Sequence, residues 1–122
     1  MGVPSVLFGL LHFWNAEGAA EGALWALWAF LLGLACADLT ARTGTLGAAI
    51  GLHTANNLAI FALYGMKDGP DSGFALFLYP FEEPAAGPGI EALANPWALY
   101  DVLFSALFIA ILWLAARIAV RR

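Results

Sequence analysis

The chain has 122 residues, of which 62% are hydrophobic and 11% charged, and its mean hydropathy is +0.80. Soluble domains run at roughly half apolar and a quarter charged, so this composition excludes an ordinary soluble globule and predicts a single-domain integral membrane protein. A net charge of -4 without a basic patch excludes a nucleic-acid binder, and a single cysteine excludes an intrachain disulfide.

Met1-Gly2-Val3-Pro4 lacks the basic start of a secretory signal, and Val6 stands where a myristoylation signal needs Ser or Thr. The first apolar segment, Pro4 to Trp14, has about 11 residues, or roughly 16 Å of helix against a hydrocarbon core of ~30 Å. It cannot span alone. It reads as the second half of a span whose first half is missing, with a re-entrant or interfacial helix as the alternative. Ser5, Phe8 and His12 share one of its faces. Polar sequence from Asn15 to Gly22, with Glu17 and Glu21 as loop acids, follows.

The second segment runs from Ala23 to Ala37 and on to about Thr40, long enough to span, with Trp25 and Trp28 at the depth of an aromatic belt. Gly33 and Ala37 offer a small-residue contact to a neighbouring helix. Cys36 reads as a small buried hydrophobe. Asp38 and Arg42 stand at i,i+4 in the favourable acid-first order and are expected to pair at the interface.

The third segment, Thr45 to Tyr64, spans as a helix yet carries His53, Asn56 and Asn57. Polar groups inside hydrocarbon are costly and by default mark function. Helical spacing puts Ala49, His53, Asn57, Ile60 and Tyr64 on one face, with Asn56 on its flank. Gly44, Gly47 and Gly51 fall opposite, where they are expected to receive another helix.

A loop from Gly65 to Asn95 follows. It contains turn chemistry at Lys67-Asp68-Gly69-Pro70-Asp71, an aromatic stretch from Phe74 to Phe81 suited to the interface, and the surface acids Glu82 and Glu83. Asn95-Pro96 caps the last span, Trp97 to about Val120. The architecture expected is all-α, a polytopic transmembrane bundle with three full spans and a short or truncated first helix. The C-terminal arginines and Arg42 predict a cytoplasmic C-terminus, with the acidic loops outside. His12 and His53 then sit on helices running in the same direction, with the Trp25 helix returning between them.

Two histidines on separate apolar helices suit a metal site, since imidazole is a common zinc ligand and catalytic zinc takes about three protein ligands. Histidines satisfied locally in the core, or a haem-ligating pair, fit the same spacing. The residues around them carry more information. Phe8-Gly9-Leu10-Leu11-His12 and His53-Thr54-Ala55-Asn56-Asn57 resemble the FxxxH and HxxxN motifs of the CPBP family of intramembrane metalloproteases, which includes CAAX proteases and bacteriocin-processing enzymes. The link from Phe30-Leu31-Leu32-Gly33-Leu34 to Arg42-Thr43-Gly44-Thr45-Leu46 looks like that family's as well, so the resemblance runs from about Val3 to Leu63.

The resemblance implies a helical membrane bundle that hydrolyses peptide bonds within the membrane, with a divalent metal such as zinc as cofactor. It implies His12 and His53 as metal ligands or catalytic histidines, and Asn57 as the polar partner of the metal site or the oxyanion. Membrane lipids and a peptide or protein substrate are the implied partners, and a bacterial inner membrane the implied location. The family's EExxxR motif, whose glutamate activates water, does not precede FxxxH here. Glu82-Glu83 follows HxxxN instead, and Gly87 stands where the arginine would be. Residues 1–122 are therefore expected to be one transmembrane domain forming the C-terminal part of a longer one, catalytically incomplete as it stands. A non-catalytic membrane scaffold or regulator derived from the same family is the alternative.

Overall fold

The computed structural model of the chain describes residues 2–16, 18–66, 74–79 and 96–121. Helix α1 covers Gly2–His12 and tightens into a 3-10 turn at Phe13–Asn15, followed by α2 (Ala19–Thr43) and α3 (Gly47–Leu58). A π-helical turn, Ala59–Leu63, extends α3. Two three-residue strands, β1 (Tyr64–Met66) and β2 (Phe77–Tyr79), and helix α4 (Pro96–Ala119) complete the order. The expectations for Glu17, for the turn at Lys67–Asp71, for Glu82-Glu83 with Gly87, and for the Asn95 cap lie outside the described residues.

Helix α2 is the hub, packing against α1, α3 and α4. Its Leu, Ala and Trp run contains no proline and no β-branched residue before Thr40, so nothing interrupts 25 residues of helix, about 37 Å. Gly44 ends it in the left-handed region at φ 69°, where its N–H reaches Thr40 O at 2.9 Å. The Thr43 hydroxyl lies 2.9 Å from Leu39 O and accepts from the Thr45 N–H at 3.3 Å, which fixes the turn into α3. Gly44 is therefore a helix cap, not part of the α3 face on which it was expected.

α1 returns along α2 as a tight antiparallel hairpin. A Cβ on Gly9 would stand 2.7 Å from Ala26 O, one on Gly22 2.7 Å from Phe13 O, and one on Gly33 3.2 Å from the Ser5 Cα. The backbones touch because these side chains are absent, which is how helices associate where lipid removes the hydrophobic drive. Gly33 thus makes the small-residue contact expected of it, with Ser5 as its partner.

The glycines of α3 behave otherwise. A Cβ on Gly51 would meet nothing within 4 Å, and one on Gly47 only the Thr45 hydroxyl at 3.8 Å. Both are exposed, and no described helix makes the contact expected on that face. The buried stripe of α3 is Ala49, Leu52 and Asn56, which packs toward α2. Cys36 is half-buried at this contact, its Sγ 3.5 Å from Ala49 O.

The core sits where α2, α3 and α4 meet, at Leu32, Ala35, Leu39, Leu52 and Ile109. α4 joins it by one narrow stripe, with Leu112, Trp113, Ala116 and Val120 beside Ile109. Its other faces leave Leu103, Leu107, Ile111, Leu114 and Ile118 exposed, as a lipid-facing helix requires. Among the described residues two helical stretches, Ala19–Thr43 and Val102–Ala119, are long and apolar enough to cross a membrane. Three full spans were expected; the middle one, Thr45 to Tyr64, comprises 12 residues of α-helix and five of π-helix, roughly 25 Å, and falls short of these two. The fold is that of an all-α integral membrane protein. Among the described residues β1 and β2 pair in parallel, Tyr64 opposite Phe77 and Met66 opposite Tyr79, so Tyr64, expected on the His53 face of the helix, lies in a strand, and the other strand residues lie where loop was expected.

Candidate active site: two histidines on one phenylalanine

Phe8 and His12 stand one turn apart on α1, with ring centroids separated by 4.5 Å. The His53 ring on α3 meets the same Phe8 edge-on at 5.5 Å. The two imidazoles therefore flank one benzene ring and cannot be more than about 10 Å apart, centroid to centroid. All three residues are half-buried. α2 packs against both α1 and α3, the two helices that carry the histidines.

The histidines differ in their hydrogen bonds. His12 Nδ1 lies 2.7 Å from Phe8 O, and a carbonyl only accepts, so Nδ1 carries the proton and donates. That leaves the Nε2 lone pair free, the arrangement in which a backbone carbonyl orients a metal-ligating imidazole. His53 has no hydrogen-bond partner among the described residues, so both its nitrogens are open.

Asn57 lies one turn beyond His53, half-buried, and its Oδ1 accepts from Asn56 Nδ2 at 3.4 Å. Asn56, expected on the flank, is the fully buried amide at 0% exposure, and its Oδ1 finds no partner. The stripe Ala49, Leu52, Asn56 at helical spacing was the signal that marked it as interior.

For a divalent metal the donor set is a partial match. Two imidazoles supply two of the roughly three protein ligands of a catalytic zinc site. Among the described residues no group of three or more His, Cys, Asp or Glu side chains comes together. The acids that are described lie elsewhere: Glu21 accepts from Trp25 Nε1 at 3.4 Å in the first turn of α2, and Asp38 belongs to the seam with α4. There Asp38 accepts from Arg42 Nε at 2.9 Å on both oxygens, the pair expected from spacing. It also accepts from Trp113 Nε1 at 2.9 Å and faces Arg117 Nε at 3.6 Å, partners that no local spacing announces.

Residues 1–59 match the family described as Type II CAAX prenyl endopeptidase Rce1-like. No curated protein and no solved structure gives a significant match. The matched residues contain Phe8, His12 and His53, whose rings are in contact, and Asn57 one turn beyond His53. Over this stretch, just under half of its length, the chain is similar to the CAAX protease family of membrane proteins.

Proposed function

We propose that this chain carries the histidine half of an intramembrane metal-dependent endopeptidase site, with His12 and His53 as metal ligands and Asn57 as the polar group beside them. The observation that supports the reading is the contact of both imidazoles with the Phe8 ring, although they stand on separate helices. His12 would bind through Nε2, because Nδ1–H is held by Phe8 O. His53 would bind through either nitrogen. A bound zinc ion would supply Lewis-acid polarisation of the scissile carbonyl and lower the pKa of a water molecule. Asn57, its Oδ1 occupied by Asn56 Nδ2, keeps its own Nδ2–H donors for the oxygen on which negative charge develops. A third ligand and a general base come from outside the described residues. The substrate is a peptide or protein within the bilayer.

Zinc or cobalt binding by the purified full chain tests this directly. Cobalt should give an absorbance band that weakens on both His12→Ala and His53→Ala and survives Trp14→Phe. A band indifferent to both histidines sinks the ligand assignment. The chain alone, supplied with zinc, should not cleave peptides, since no carboxylate joins the histidines among the described residues. Turnover abolished by His53→Ala would place a general base in this chain. The lack of a third acidic or thiol ligand among the described residues favours a second reading, a non-catalytic scaffold or regulator that keeps the histidine pair. Metal binding without turnover, even when the chain is extended upstream, selects it.

The membrane orientation proposed is cytoplasmic for the C-terminus. Arg42 and Arg117 face the same carboxylate at one end of the bundle, so the basic ends of α2 and α4 share one side. A reporter fused after Arg122 should read cytoplasmic, and an external reading reverses the assignment.

A further inference from the structure

The seam between α2 and α4 is an open groove of about 250 Å3. Leu31, Leu34 and Ala35 form one wall, and Ala106, Ile109 and Ala110 the other. Asp38 and Trp113 close it at the end where both helices reach their C-terminal, arginine-bearing turns. At that end one carboxylate faces two guanidinium groups, and both contacts run through Nε. The Nη groups of Arg42 and Arg117 make no hydrogen bond among the described residues. Each guanidinium has five N–H donors, so most of its donor capacity is unspent. Arg121, exposed and one turn beyond Arg117, adds a third cation. The groove thus joins an apolar trough to a head carrying a surplus of positive charge, at the depth where spans meet headgroups.

We propose that this groove binds one anionic phospholipid, with an acyl chain between α2 and α4 and its phosphate on the Nη groups of Arg42 and Arg117. Guanidinium matches phosphate oxygens with two parallel N–H donors, a fit that an apolar partner helix would leave unused. Trp113 supports the site from beneath, its Nε1 held by Asp38 and its ring 4.5 Å from the Arg117 Cζ, which keeps that guanidinium at the rim. The lipid would fill the space that the thin contact of α4 leaves open.

The test offers the purified full chain, in detergent, an equimolar mixture of phosphatidylglycerol and phosphatidylcholine, and counts retained lipid by native mass spectrometry. Retention of one phosphatidylglycerol with a preference on the order of tenfold is expected, falling roughly fivefold with each of Arg42→Gln and Arg117→Gln. Asp38→Asn frees both guanidiniums from their carboxylate while still accepting from Trp113. It should therefore raise the preference, although it weakens the clamp between the helices. Ala110→Phe fills the trough without touching an arginine and should abolish retention of both lipids. Equal retention of the two headgroups by the native chain overturns the proposal. So does a folded Asp38→Asn chain with lower preference, or an Ala110→Phe chain that still holds its lipid. Should Asp38→Asn fail to fold, Arg42→Gln on the exposed rim and Ala110→Phe decide alone.

Discussion

α2 makes two long contacts of opposite kinds. Against α1 it presents Gly22, Ala26, Ala29 and Gly33, and the partner's Ser5 and Gly9 come so close that a methyl group would strike a backbone atom. Against α4 it presents larger side chains across a groove, and the helices are tied at one end by Asp38, Trp113 and Arg117. The first contact depends on shape along its whole length and the second on a few polar groups. In a bilayer, where burying an apolar side chain gains nothing over leaving it in lipid, these are the two available ways to hold helices together. The hairpin, which positions Phe8 and His12, uses the stiffer one.

The largest test of this contrast is Gly9→Leu, which inserts a side chain where even a Cβ would lie 2.7 Å from Ala26 O. A loss of about 3 kcal/mol is expected from overpacking, measured by reversible unfolding in mixed micelles, together with a weakened cobalt band because His12 moves. An unchanged unfolding free energy would mean the hairpin is looser than its contacts require. Next comes Asp38→Ala, which strands the Trp113 and Arg117 donors at the other seam. About 2 kcal/mol should be lost, as for removal of a charged acceptor, with the cobalt band intact. A double-mutant cycle with Trp113→Phe should recover about 1 kcal/mol of coupling, and zero coupling would remove Asp38 from the account of how α4 is held.

Smaller effects should come from α3. Gly51→Ala adds a methyl group in open space on a helical backbone and should stabilise by about 0.5 to 1 kcal/mol, the opposite sign to any substitution at Gly9. A loss there would mean that the face receives a helix after all. Asn56→Leu should change stability least. Among the described residues its Oδ1 has no partner to lose and its side chain makes one bond, 3.4 Å long, so the cost of the lost bond is offset by relief of a buried polar atom. A drop of more than about 2 kcal/mol would reveal a donor for that oxygen.

Some of this was readable because the chemistry is local. Asp38 and Arg42 pair through one turn of helix, and that geometry holds whatever surrounds it. Gly33 was marked as a contact residue by its size alone. The same reasoning failed at Gly47 and Gly51, which share the spacing of a helix-packing motif but face away from every described helix. Periodicity gives the face on which residues lie, and it does not say which face meets a neighbour. Asn56 and Asn57 illustrate the point: adjacent amides, of which the one placed on the flank is fully buried and the one placed on the working face is half-exposed.

By itself the sequence determined the all-helical membrane class, because apolar runs of this length have no other way to satisfy their backbone in lipid. It also carried the resemblance to the CAAX protease family, which the match over residues 1–59 supports. Only the tertiary structure decided which glycines are contacts, which asparagine is interior, and that the His12 and His53 rings both meet Phe8. It also decided that Asp38 reaches across 75 residues of sequence to Trp113. Each of these depends on how α1, α3 and α4 are rotated about their own axes relative to α2. That rotation is set by the sum of many small packing contacts, none of which any single stretch of the chain contains.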